Sequence, residues 1–87
     1  MLGIRYSETA SRQIKSIARS NKQNAILILK KIEQFASSPD EFSDIKVLKG
    51  RQATFKRLRA GDYRVIFDTE NRIMNIYQIK HRKEAYK

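Results

Sequence analysis

The stretch FKRLRAGDYRVIF, Phe55 to Phe67, reads as two strands joined by a tight turn. Ala60-Gly61-Asp62 separates Phe55–Arg59 from Tyr63–Asp68, and Gly61 supplies the positive φ that such turns often need. Lys56, Arg57, Arg59 and Arg64 crowd onto these strands, where like charges repel. On strict alternation Leu58 faces one way, while Phe55, Arg57 and Arg59 face the other. Such a hairpin asks for an apolar layer on one side only. The other side is left to water or to a ligand.

The residues upstream supply that layer. LGIRYS (Leu2 to Ser7) alternates apolar and polar and is read as a first strand. Ser7 then caps a helix, with Glu8 in its first turn, where the helix dipole favours an anion. Ala10, Ile14, Ile17 and Ala18 share one stripe of this helix, and Arg12, Lys15 and Arg19 point away from it. Asn21 caps a second helix, in which Ala25, Ile28, Leu29, Ile32, Phe35 and Ala36 keep helical spacing and Ile26 and Leu27 widen the apolar face. Ser37-Ser38-Pro39 ends it, since the proline ring disfavours helix at the preceding residue. This helix is too apolar to read base edges, so the pair is a packing layer rather than a helix-turn-helix.

Residues 40–53 form the one long connection, with a short apolar stretch at Ile45, Val47 and Leu48 that packs on the sheet. After the central hairpin, Thr69–Arg72 makes a second turn and Ile73–Lys80 a last strand. Alternation beside Val65 and Ile79 puts Tyr63 and Tyr77 in the core. HRKEAYK closes the chain as a polar tail. The predicted fold is α+β in the order β-α-α-β-β-β, with two helices on one face of a small, mostly antiparallel sheet. Eighty-seven residues suffice for one domain, spanning 1–87.

Composition narrows the function. The net charge is +10 and is uneven. Residues 1–44 hold seven Lys/Arg against five Asp/Glu, whereas 45–87 hold twelve against four. A basic face of this kind favours polyanions. There is no cysteine, so disulfides and thiolate metal ligands are excluded. The first residues lack the apolar run of a signal peptide, and no stretch approaches the ~20 apolar residues of a membrane span, so a cytoplasmic location is expected.

LKG (Leu48–Gly50), RLRAGDYRVIF (Arg57–Phe67) and IKHRKEAYK (Ile79–Lys87) together resemble the RelE/ParE superfamily of toxins. The likeness covers the second half of the chain, and the β-α-α-β-β-β order agrees with the family fold. Lys80 departs from the pattern, standing where the family usually has glycine before the His-Arg pair. RelE-like members are ribonucleases that cut messenger RNA, commonly at the ribosome, and are neutralised by a small antitoxin protein. ParE-like members share the fold, lack the basic catalytic set and poison DNA gyrase. By this resemblance Arg57 is the basic residue of the second strand, Arg64 the arginine of the Tyr-Arg pair, Arg82 that of the closing motif and Tyr86 the terminal tyrosine. Their joint presence favours the nuclease branch; the alternatives are a ParE-like gyrase inhibitor or a non-enzymatic nucleic-acid-binding module on the same fold. The implied partners are a cognate antitoxin and mRNA with the 70S ribosome, and no cofactor.

With a single histidine and no D-x-D set, a metal route is not expected, and a two-histidine acid–base pair is excluded. In the remaining chemistry Arg57 and Arg64 clamp a phosphate with guanidinium forks, and Arg82 bears on the leaving oxygen or stabilises the phosphorane. Tyr86 stacks on a base or orients the 2′-hydroxyl. His81, ordinarily near neutrality in pKa, is the candidate acid or base. Lys49, Lys56, Arg59, Lys80 and Lys83 complete the expected RNA contacts.

Overall fold

The computed structural model describes residues 1–41, 46–49 and 54–85, with side chains at 1–40 and 55–83. The elements are β1 (Gly3–Tyr6), α1 (Glu8–Ser20), α2 (Lys22–Ser37), a single 3-10 turn (Pro39–Glu41), β2 (Lys46–Lys49), β3 (Thr54–Ala60), β4 (Tyr63–Glu70), β5 (Ile73–His81) and α3 (Arg82–Ala85). They form a five-stranded sheet of order β1-β5-β4-β3-β2. Only β1 runs parallel to its neighbour. The α+β expectation holds, with two additions. The connection after α2 contributes β2, which pairs antiparallel with β3 from Lys46↔Arg57 to Lys49↔Thr54. The start of the polar tail winds into α3.

The helix hairpin follows from two caps. The Ser7 hydroxyl accepts from the Ala10 N–H at 3.0 Å and donates to the Tyr77 carbonyl at 2.8 Å, so one side chain both starts α1 and ties it to β5. Asn21 ends one helix and begins the next. Its N–H donates to the Ile17 carbonyl at 2.7 Å, and its Oδ1 accepts from the Asn24 N–H at 3.2 Å. A one-residue joint leaves the two helices no choice but to fold back along each other. Pro39 follows directly on the α2 cap, Ser38.

Both helices lie on the same face of the sheet. Ala10, Ile17, Ala25, Ile28, Ile32, Phe35 and Ala36 meet Leu58, Ala60, Val65, Phe67, Met74, Ile76 and Ile79 in one core. Phe35 packs edge-on against Phe67, ring centroids 4.9 Å apart. Tyr63 joins this core from its rim, as expected from alternation.

The β4–β5 ladder carries the feature that alternation does not foresee. Val65 pairs with Ile79 and Ile66 with Gln78, but Phe67 pairs with Ile76. Tyr77 is therefore a bulge residue, extra on β5. The bulge lets Ile76 and Ile79, three residues apart, both enter the core. It also leaves Tyr77 more than a third exposed on the opposite face, which corrects the core placement read from period-2 spacing. Pairing of β1 with β5 stops at Tyr6↔Ile76. Beyond that point α1 protects the β5 edge, for the Ile79 N–H donates to Gln13 Oε1 at 2.6 Å.

Asn71 and Arg72, the two residues between β4 and β5, have φ of 52° and 62°. This is the positive-φ pair that a two-residue hairpin demands. Asparagine tolerates it, but arginine bears a steric cost there. Arg72→Gly is expected to stabilise the protein by about 0.5–1 kcal/mol. Thermal unfolding followed by circular dichroism checks this, with a rise of a few degrees in Tm expected; an unchanged or lower Tm would show that the turn is unstrained.

Candidate nucleic-acid interface

The face of the sheet turned away from the helices carries the cations. Arg59 on β3 pairs with Arg64 on β4, and Arg64 pairs with Lys80 on β5, so three positive side chains stand side by side across the sheet. The adjacent row on the same face runs Arg57, Ile66, Gln78. Diagonal same-face neighbours lie about 7–8 Å apart, which brings Arg57 and Arg64 within reach of one group.

This placement is costly in the isolated protein. Like charges directly opposite each other destabilise a sheet. Arg64 is only 4% exposed. The Nε of Arg57 is buried and, among the described residues, has no hydrogen-bond partner. An unmet buried donor costs about 1–3 kcal/mol, and more when charged. A phosphate answers both problems, since its oxygens accept from guanidinium forks and its charge offsets the row.

The other expected residues are distributed differently. Lys56 faces the helix side, opposite the buried Phe67, and its Nζ donates to Thr69 Oγ1 at 3.4 Å. It does not belong to the cationic face, because consecutive residues of a strand point to opposite sides. His81 is displaced for the same reason. Since Lys80 sits beside Arg64, His81 faces the helices. There it pairs with Tyr63, rings edge-to-face at 5.2 Å, and lines a cleft of about 250 Å³ with Gln13, Ser16, Ile17, Ser20 and Ile79. Its Nδ1 accepts from the Lys83 N–H at 3.2 Å. The sheet separates His81 from the arginines, and its expected acid–base role there is withdrawn.

Arg82 begins α3 beside the β3–β4 turn. Its N–H donates to the Asp62 carbonyl at 2.7 Å and its Nε lies 3.9 Å from Asp62 Oδ1, both side chains largely exposed. Such a pair is worth under about 1 kcal/mol, so Arg82 is held near the Arg59–Arg64 end of the hairpin without being locked. Lys83 is exposed on α3. Lys49 lies in β2, with its side chain outside the described residues, and Tyr86 lies wholly outside them.

Two rows further along the bare face is a group that alternation missed. The Tyr77 hydroxyl donates to Asp68 Oδ2 at 2.8 Å, and Asn75 Nδ2 donates to Asp68 Oδ1 at 3.0 Å. The rings of Tyr77 and Phe55 meet edge-to-face at 5.4 Å. No local sequence signal marks the bulge that puts Tyr77 here.

Comparison with known proteins agrees with this architecture. Residues 4–86 match the model of the ParE toxin family, described as the ParE toxin of the type II toxin–antitoxin system parDE. No curated protein sequence matches. Among solved structures, the archaeal RelE–RelB complex from Pyrococcus horikoshii OT3 is 21% identical, with 93% of this chain and 94% of that chain covered and a TM-score of 0.75. The YoeB dimer from Staphylococcus aureus is 16% identical over 92% and 95%, TM-score 0.77. YafQ from E. coli strain BL21(DE3) is 9% identical over the full length of both chains, TM-score 0.68. At these identities the likeness is one of fold.

The Tyr77 hydroxyl is held above the usual phenol range, first by its hydrogen bond to Asp68, then by burial and by the charges of Asp68 and Glu70. The unfolded chain therefore ionises first. The stabilisation is intact below about pH 10, the ordinary tyrosine value, and is lost as pH rises further. Tm measured from neutral to strongly alkaline pH should fall more steeply for the wild type than for Tyr77→Phe. Parallel curves would mean the contact contributes nothing.

Proposed function

The chain belongs to the ParE toxin family of type II toxin–antitoxin systems, and from that premise we propose that it is a cytoplasmic, metal-independent endoribonuclease that cleaves mRNA, with the ribosome as its working partner. The observation that carries this is the meeting of Arg57, Arg59, Arg64 and Lys80 on the bare face of the sheet, with a buried Arg57 donor awaiting an acceptor.

In this reading Arg57 and Arg64 grip the non-bridging oxygens of one phosphodiester. The 2′-oxygen of the preceding ribose bonds to phosphorus as the bond to the 5′-oxygen breaks, leaving a 2′,3′-cyclic phosphate and a 5′-hydroxyl. The 2′-hydroxyl proton is released and the leaving oxygen gains one. The crowded guanidinium groups stabilise the extra charge that builds on the phosphorane, on a sheet surface organised before substrate arrives. Arg82, close to this end of the sheet, bears on the leaving oxygen, and Tyr86 stacks on or orients the substrate. With His81 across the sheet, catalysis leans on electrostatics and alignment rather than on a histidine.

The solved relatives include toxins in complex with RelB and YefM antitoxins. By the same token this chain, at +10, is neutralised by a small acidic antitoxin laid against its basic surface. A second reading, a toxin directed at DNA gyrase, draws on the family match itself, which is to the toxin of parDE. Mapping RNA ends and DNA breaks after induction separates the two.

Purified protein should cut free RNA in EDTA, and should cut mRNA on ribosomes faster in a magnesium buffer. Arg57→Ala or Arg64→Ala should lower the rate about 10²–10³-fold, the usual effect of removing one preorganised donor. His81→Gln, on the far side of the sheet, should stay within a few-fold. If both arginine variants remain folded and fully active, or if His81→Gln is as damaged as they are, the assignment fails.

A further inference from the structure

We infer that Tyr77, Phe55, Asn75 and Arg5 form a base-binding subsite for the RNA strand whose phosphate lies on Arg57 and Arg64. The inference rests on the nuclease reading and adds to it a place where the substrate's bases, not its phosphates, are held.

Four observations converge. The first is position. Asp68 and Arg64 lie on the same face of β4, four residues apart, or about 13 Å at the usual strand rise. An RNA strand running along the sheet from the cationic row therefore passes over Tyr77 within a few nucleotides. The second is a cavity. Arg5, Tyr6, Ser7, Asn75, Ile76 and Tyr77 line an open cleft of about 300 Å³ where β1 ends beside the bulge. This is the low end of the range for small-ligand sites, roughly 300–1,000 Å³.

The third observation is rigidity. An aromatic ring this exposed contributes little to the core, yet Tyr77 is held at its hydroxyl by Asp68 and at its edge by Phe55. Asp68 is in turn held by Asn75. A fixed aromatic face is the platform on which single-stranded bases stack. Among the described residues Asn75 spends one of its four hydrogen-bonding positions, on Asp68, which leaves others to meet a base edge. The fourth is charge. Asp68 stands on the same face as the arginines and repels phosphate, so this end of the strip favours the base over the backbone. Arg5, opposite Asn75 on β1, offers a guanidinium plane at the outer wall.

The test uses the purified protein and 2′-O-methyl RNA oligonucleotides, which cannot be cleaved, in a length series read by fluorescence anisotropy at several salt concentrations. For the wild type, affinity should step up once the oligonucleotide is long enough to reach Tyr77. Tyr77→Ala should abolish that step, weakening the longer oligonucleotides about ten-fold, as expected for one lost stack. Its salt slope should be unchanged, whereas Arg57→Ala should lower the slope by removing a phosphate contact. Tyr77→Phe, which keeps the ring, should retain most of the step and guards against misfolding of the alanine variant. Asn75→Ala should alter which base is preferred at that position.

If the wild type binds and cleaves RNA but Tyr77→Ala binds every length equally well, the subsite is refuted and the nuclease reading stands. If the wild type binds no RNA, both fall. If Tyr77→Ala leaves RNA binding intact but escapes neutralisation by a cognate antitoxin, the surface belongs to a protein partner and the subsite is likewise refuted.

Discussion

The extra residue in β5 decides which side chains from the second half of that strand reach the bare face. Because Tyr77 has no partner on β4, the side-chain parity of β5 reverses between Ile76 and Ile79. Without that reversal, a strand whose first half places Met74 and Ile76 in the core would turn Lys80 toward the helices and His81 toward the arginines. With it, Lys80 completes the row begun by Arg59 and Arg64, and His81 goes to the cleft under α1. The bulge is held in place from the edge. Ser7 bonds the Tyr77 carbonyl and Gln13 bonds the Ile79 N–H, so the start of α1 and the cationic face are coupled through a few hydrogen bonds.

The division of labour between the two faces of the sheet explains how the cationic row is tolerated. On one face the helices bury Leu58, Val65, Phe67, Met74, Ile76 and Ile79 almost completely, and this apolar contact supplies the stability. On the other, the same strands carry Arg57, Arg59, Arg64 and Lys80, whose mutual repulsion that burial has to outweigh. Destabilisation concentrated at one surface is the usual mark of a site organised for a ligand of opposite sign. The surface is also graded along the strands, from cations near the β3–β4 turn to an aromatic pair steadied by Asp68. A strand of nucleic acid offers the matching gradient, phosphate beside base.

Much of this was legible before any coordinates. Ser7 and Asn21 cap the helices that their hydroxyl and amide suggested, because capping is decided within a turn of the chain. Ala10, Ile17, Ile28, Ile32 and Phe35 enter the core that their spacing implied, and Leu58 separates from Arg57 and Arg59 as alternation requires. The order of helices and strands, and the pooling of arginines on the uncovered side, follow from these local rules. Lys56 is the exception within β3, for it shares the charge of its neighbours but not their face.

What the chain alone determined, then, is the elements, their order and the sign of the exposed surface, since these depend on residues close together in sequence. What only the tertiary structure decided is register. The bulge at Tyr77, the pairing of Arg59, Arg64 and Lys80, the strand made by Lys46–Lys49 and the withdrawal of His81 all depend on which residue of one strand lies opposite which of the next. A slip of one place turns each side chain to the other face while leaving the local sequence unchanged. The burial of both Ile76 and Ile79 in one core fixes the β5 register that sets Lys80 beside Arg64.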